Sequence, residues 1–430
     1  MSKARKNPNY IGPTDLTDLK ISEPAGYAAG LPAVRVAIKH AMKEMGLQRS
    51  MATLSKLNQK EGIDCPGCAW PDPKKRSSLG EYCENGVKAI AEEATTSRVD
   101  PAFFARHTVE ELREWTDYKI GKSGRITHPM VLRPGAIHYE PIAWQDAFAL
   151  IAEYLKALED PDEAVFYTSG RSSNEAAFLY GLFIRAFGTN NMPDCSNMCH
   201  ESSGVALSET LGIGKGSVIL EDFEDAEVVM VIGQNPGTNH PRMLSALAKC
   251  KQNGGKIIAV NPLKEAGLLQ FRNPQEVNGL IGGGTSLTDH YLQVKVNQDV
   301  ALLKLIMKKL LEMDSEENQA IDHDFIVKNT AGFDAFKSDL HTYEQQDLLD
   351  DCGVAETEID EVVQLLAKRK RIIICWAMGL TQHKNGVDNI KECVNLLLLK
   401  GSIGKRGAGT CPVRGHSNVQ GDRTVGIMHH

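Results

Sequence analysis

The chain has 430 residues, 42% of them hydrophobic and 24% charged, the balance of an ordinary globular protein with room for two or three domains. A formal charge of −7 argues against a nucleic-acid partner, and no apolar run approaches the ~18 residues that a bilayer span needs. The basic start, Met1 to Pro8, lacks the apolar core of a signal peptide, so a cytoplasmic protein with no membrane span is expected.

Residues 1 to about 60 form a polar lead-in punctuated by Pro and Gly, with one predicted helix over residues 32–46. Cys65-Pro66-Gly67-Cys68 follows, with Cys83 close behind. The C-x-x-C spacing folds two thiolates back onto one metal centre, and Pro-Gly makes the turn. A zinc knuckle, a redox dithiol and plain structural cysteines are the other readings of such a set. Ten cysteines in a chain of this kind do not form a disulfide framework, because the cytosol keeps thiols reduced. Cys250, Cys375 and Cys393 sit in apolar runs, where a structural thiol is the default, and Cys352 and Cys411 have no partner at ligand spacing. Cys65, Cys68, Cys83, Cys195 and Cys199 are left for chemistry.

A charged helical pattern over residues 108–118 leads to a predicted strand pair in residues 124–133 and 139–144. Residues 146–158 then read as an amphipathic helix, with Phe148, Ile151, Tyr154, Leu155 and Leu158 at helical spacing. Residues 164–167 read as a strand that ends at small polar residues, Thr168 to Asn174, before a helix to Phe187. Cys195, Cys199 and His200 come next. The run Glu227 to Gly233 stops abruptly at Gly, the mark of a buried parallel strand, and opens the loop Gln234 to Pro241. A helix over residues 242–252 and a second strand, residues 256–260, complete the unit at Asn261-Pro262. Further on, residues 291–296 read as a strand and 300–311 as a helix; residues 316–366 read as charged helix with a solvated face. A buried strand over residues 371–376 ends at Ala377 to His383, and residues 388–400 are helical.

Strands alternating with helices, each strand ending in polar residues, predict an α/β fold of Rossmann-like open parallel sheets with helices on both faces. Ligands of such sheets lie outside the carboxyl ends of the strands, so an anionic, nucleotide-like ligand is expected there. The loops are not those of an NAD-type dehydrogenase. The nearest imitation of a G-x-G-x-x-G loop, Gly212 to Gly216, follows no strand and precedes no helix.

Five stretches stand in a fixed order: Arg125-Ile126-Thr127-His128-Pro129-Met130, Cys199-His200, Gly233-Gln234-Asn235-Pro236 with His240-Pro241, Trp376-Ala377-Met378-Gly379-Leu380-Thr381-Gln382, and Arg414-Gly415-His416-Ser417-Asn418-Val419-Gln420-Gly421. Together they resemble the molybdopterin oxidoreductases of the dimethyl-sulfoxide-reductase superfamily. The likeness is nearest to the formate dehydrogenase catalytic subunit and a formate-dehydrogenase-like branch linked to acid resistance, and it runs from about residue 60 onward. It implies a bis-molybdopterin guanine dinucleotide cofactor carrying molybdenum and, at Cys65, Cys68 and Cys83, a [4Fe-4S] cluster in a small N-terminal iron–sulfur-type region. Gly233, Asn235, Thr238, His240, Asn261, Asp299, Met378, Gly379, Gln382 and Asn418 would lie in cofactor-binding loops. Cys199 would be the molybdenum ligand, a soft thiolate suiting that ion, with Cys195 as the alternative. His200 would move the substrate's proton. The implied reaction is a formate dehydrogenase-like, two-electron oxidation of a small substrate, the electrons leaving one at a time through the cluster to an unidentified acceptor protein.

Three departures stand against the family pattern: one of its four N-terminal cysteines is absent, Asn85 replaces a basic residue, and Asn261 replaces an Asp. The resemblance divides the chain into residues 1–125, a first α/β domain from 126–195 and 384–430, and an inserted domain, 196–383, that binds one guanine dinucleotide. It also reads the chain as the N-terminal portion of a longer enzyme. The alternative is a non-catalytic remnant whose cysteine site holds zinc or nothing.

Overall fold

Runs of β-branched residues cannot satisfy their backbone groups alone, and here they pair into one sheet. The computed structural model describes residues 23–77 and 80–429, which leaves the basic stretch Met1 to Pro8 outside the described residues. The strands are β1 (Val228–Ile232), β2 (Lys256–Val260), β3 (His290–Leu292), β4 (Ile372–Trp376) and β5 (Gly409–Pro412). Their order is β3-β2-β1-β4-β5 and every pair is parallel. The direction of winding reverses between β1 and β4, where the carboxyl ends of two buried strands part to leave a crevice.

Alternation along the strands sorts the core into two layers. Val228, Met230, Ile232, Ile372, Ile374 and Trp376 face helices Glu201–Leu211, Asp299–Met313, Glu356–Ala367 and Gly386–Leu399. Val229, Val231, Ile373 and Cys375 face the opposite layer, built from helix Met243–Gln252 with Trp70 and Phe223. Both faces of the sheet are therefore covered, as the α/β reading expects.

Residues 316–366 differ from the solvated stretch expected of them. They form four helices, and Leu340, Leu348, Cys352, Ile359, Val362, Val363 and Leu366 are buried in the same layer as helix Asp299–Met313. The acidic residues hid an i, i+3, i+4 apolar stripe (Ile359, Val362, Val363, Leu366) that is enough to seat a helix.

The sheet also runs past residue 383, where the expected inserted domain ended. Helix Gly386–Leu399 is part of its core, and Ile373 to Trp376 pair with Gly409 to Pro412. Residues 386–412 therefore pack with 201–376 rather than with 126–195. The following stretch does return to the earlier residues: Asn418 N–H donates to Gly170 O at 2.7 Å, and Ile427 shares a cluster with Phe166 and Ile184.

Residues 164–167 make no ladder; Phe166 N–H donates to Asn191 O and Thr168 forms an isolated bridge with Asp194. The two helices flanking them, Trp144–Lys156 and Asn174–Phe187, form as expected, yet Phe148 is 61% exposed and Leu182 55% exposed. At the N-terminal side, helix Gly30–Leu54 extends well beyond the expected residues 32–46 and breaks at Gly46 (φ 71°, ψ 177°). It packs against helix Glu84–Glu93 through Ala41, Met45, Val87 and Ala91.

Candidate functional site

The crevice between β1 and β4 opens into a cleft of about 880 Å³. Its floor is set by two glycines. Gly233, at φ 57°, ends β1, and its carbonyl accepts the N–H of Gly379, just beyond β4, at 3.0 Å. A Cβ on Gly379 would lie 2.5 Å from Gly233 O, so only glycine lets the two strand ends approach this closely.

Of the residues singled out in the sequence, Gly233, Asn235, Thr238, His240, Asn261, Met378 and Gly379 line this cleft, together with Cys65, Cys68 and Cys83. Asn235 shapes its own loop: its side-chain oxygen accepts Thr238 N–H at 3.2 Å while its amide nitrogen donates to Glu265 at 2.6 Å. Asn85, in the place of a basic residue, donates to Thr238 O and ties the cysteine region to the same loop.

Other expected residues stand behind the wall instead of on it. Gln382 donates to Met198 O at 2.6 Å, and its neighbour Thr381 donates to Cys199 O at 2.7 Å, so the β4 loop holds the Cys195–Cys199 turn in place. Asn418 donates to Ser172 O at 2.6 Å and to Asn174 at 2.9 Å, bracing the loop that carries Arg171. Asp299 is buried at the start of its helix, and burial pushes its carboxyl up to about 6.

Cys199 is 6% exposed and sits just behind Gly415, where an added Cβ would lie 4.0 Å from its sulfur. Burial pushes its thiol up, while the Gly415 backbone and the Arg414 guanidinium act in the opposite direction. The neighbouring thiol, Cys195, is hydrogen-bonded to His416 Nδ1 at 2.9 Å, and His416 is on the cleft wall. His200 corrects the sequence reading. It is 1% exposed, both ring nitrogens have partners (Ser203 Oγ at 2.9 Å, Val413 O at 3.1 Å), and burial holds its imidazole down at about 3. An imidazole so engaged has no free nitrogen to offer a substrate.

Gln234, Arg171 and His416 line the cleft and were not among the candidates. Gln234 follows a buried strand directly, and that position is the signal that could have found it; Arg171 follows residues that join no ladder, and His416 follows a strand with no signature of its own.

The fold reading and the five ordered stretches find a counterpart among known proteins. Residues 125–426 match the Molybdopterin oxidoreductase family. The chain belongs to that family. An uncharacterized oxidoreductase of Mycobacterium tuberculosis is 53% identical over 401 residues, covering 93% of this chain and 52% of the relative. Protein YdeP of Escherichia coli K12 is 47% identical over 414 residues, 95% of this chain and 54% of that one. Formate dehydrogenase H of the same organism is 30% identical over 309 residues, 71% and 40% of the two chains. The chain thus spans about half the length of the curated relatives it matches. Acetylene hydratase from Pelobacter acetylenicus shares the fold at a TM-score of 0.53 and 20% identity, over 66% of this chain and 36% of that one.

Membership of the molybdopterin oxidoreductases implies molybdenum held by a pterin, and the cleft floor fits such a group. His240 Nε2 must carry the proton it donates to Arg414 O at 2.8 Å; burial disfavours a second proton on the ring, and the buried Nδ1 has no partner among the described residues. Gln234 directs its amide nitrogen at Met243 Sδ, 3.2 Å away, and its buried carbonyl oxygen likewise has no partner among the described residues. A buried acceptor left unpaired costs about 1–3 kcal/mol, and a pterin ring, with its amine and ring N–H, brings donors of the matching kind.

The cysteine set fits less well. Burial raises the Cys65, Cys68 and Cys83 thiols, Cys83 to about 11, while Arg242, paired with Asp72 at 2.7 Å and Glu81 at 3.1 Å, acts to lower the first two. Among the described residues no three His, Cys, Asp or Glu side chains are gathered so as to hold one ion. The three thiols are one fewer than the four ligands of the four-iron site that the resemblance implied. Among the described residues, no helix is long and apolar enough to cross a membrane.

Proposed function

We propose that this chain is the cofactor-cradling part of a molybdopterin oxidoreductase that oxidises a small, formate-like substrate by two electrons. The cofactor, in its bis-guanine dinucleotide form, lies across the carboxyl ends of the strands. The contact between Gly233 and Gly379 carries the reading: two bare backbones at the reversal point leave a floor that a flat, phosphorylated ligand can approach closely. When bound, the pterin-held molybdenum supplies the two-electron chemistry. Gln234 and His240 would accept hydrogen bonds from the ligand, the Asn235–Thr238 loop would shape its seat, and Cys199 would be the protein's sulfur at the metal. The formate-like reaction draws support from relatives named as formate dehydrogenases, at 29–30% identity.

The test is metal and pterin analysis of protein purified from a host that makes the cofactor. Molybdenum and an oxidisable pterin should co-purify with the chain and be lost from Gly233→Val, whose side chain would fill the floor. A wild-type protein that carries zinc and neither molybdenum nor pterin would overturn the reading in favour of a non-catalytic remnant. Formate-dependent reduction of a viologen dye, measured on a form with the full length of the relatives, tests the substrate class.

A further inference from the structure

Two buried imidazoles converge on one peptide segment. His200 Nε2 lies 3.1 Å from Val413 O, and His240 Nε2 lies 2.8 Å from Arg414 O. A carbonyl oxygen can only accept, so both rings carry their proton on Nε2. For His200 the other nitrogen is then an acceptor. It faces Ser203 Oγ at 2.9 Å, and that hydroxyl in turn accepts Trp376 Nε1–H at 2.9 Å. Every atom in the chain Trp376, Ser203, His200, Val413 is therefore paired in one sense only, and the four residues are buried.

The segment they hold begins where the sheet ends. Strand β5 closes at Pro412, and Val413 N–H makes one last bond, to Trp376 O at 2.8 Å. Beyond it the carbonyls of Val413 and Arg414 have left the ladder, and buried carbonyls need partners. Directly after them come Gly415, where an added Cβ would lie 4.0 Å from the Cys199 sulfur, and His416, which faces Cys195.

We infer that His200 and His240 are a pair of positioning residues: by donating to successive carbonyls they clamp the Val413–Gly415 turn over Cys199. The role deepens the proposed function because it concerns the same sulfur. Its test needs no molybdenum, so it can fail while that function stands, or hold while that function falls.

The test uses the chain as it is, with four variants: His200→Leu, His240→Leu, His200→Gln and His240→Gln. Glutamine can donate from a nitrogen placed much as Nε2 is; leucine cannot donate at all. Amide exchange and iodoacetamide labelling of Cys199 are both read by mass spectrometry. Each leucine variant should speed exchange in residues 413–417 and labelling of Cys199 by about tenfold or more, the factor for one buried hydrogen bond lost. Exchange in β1 and β4 should not change. The glutamine variants should stay within about threefold of wild type, since they restore the donor. Leucine variants that unfold beside glutamine variants that behave as wild type also support the clamp. Glutamine variants as open at Cys199 as the leucine ones, or exchange no faster at 413–417 than across the sheet, would overturn it.

Discussion

Gly379→Ala is the sharpest probe of the crevice. The added methyl would sit 2.5 Å from Gly233 O, 2.6 Å from Gly233 Cα and 2.8 Å from Gly233 C, all main-chain atoms that cannot swing aside. Either the ends of β1 and β4 part or the Gly379 N–H to Gly233 O bond of 3.0 Å breaks. Forcing a methyl into packed surroundings costs about 1–3 kcal/mol and losing the bond adds about 1, so a loss of about 2–4 kcal/mol is expected. Gly233→Ala should cost about 1–2 kcal/mol more, because its φ of 57° is left-handed and disfavours any side chain. The two changes fill one gap, so the double variant should cost less than the sum. Urea unfolding followed by tryptophan fluorescence is a suitable assay, since Trp376, at the end of β4, is fully buried. Met378→Ala, at a 44% exposed position between the same strands' loops, is the control and should stay within about 0.5 kcal/mol. A Gly379→Ala protein with the wild-type urea midpoint would refute the argument that the crevice needs bare backbone.

Asp299→Asn should raise stability at pH 8 and leave it nearly unchanged at pH 4. The folded carboxyl titrates near 6 rather than 3.8, so its favourable share is present below about pH 4 and lost as pH rises through 6. Linkage puts the loss at about 2–3 kcal/mol, read as the difference between melting temperatures at the two pH values. Arg242→Gln should slow alkylation of Cys65 and Cys68 at pH 8, because the guanidinium acts to lower both thiols; unchanged rates would mean that it is neutralised by Asp72 and Glu81. Leu182→Gln, on an exposed helix face, should shift stability by no more than about 0.5 kcal/mol, whereas Leu305→Ala, fully buried against the sheet, should cost about 2–5 kcal/mol in the same denaturation assay.

Much of the architecture is legible in the chain itself. Val228 to Ile232, Lys256 to Val260 and Ile372 to Trp376 are strands because β-branched and apolar runs of that length, bounded by Gly, Asn-Pro and Ala-Met-Gly, have few other stable conformations once buried. Their polar ends share one side of the sheet, and seven of the ten residues singled out for cofactor binding line the cleft there. What such patterns cannot carry is which partner each element meets. Gly409-Thr410-Cys411-Pro412 has no strand signature of its own, and it is a strand because β4 offers it an edge. Residues 316–366 looked solvated because their charges outnumber the apolar stripe that the fold buries. Cys199 and His200 are adjacent in sequence, yet their surroundings differ. The thiol lies beside Gly415, while the imidazole is enclosed by Ser203 and Val413 from elements 3 and 213 residues away. Local residue chemistry decided which segments could be helix, strand or loop; only long-range packing decided which side chains reach the cleft, because hydrogen-bond partners and burial are properties of neighbours that the chain brings together from afar.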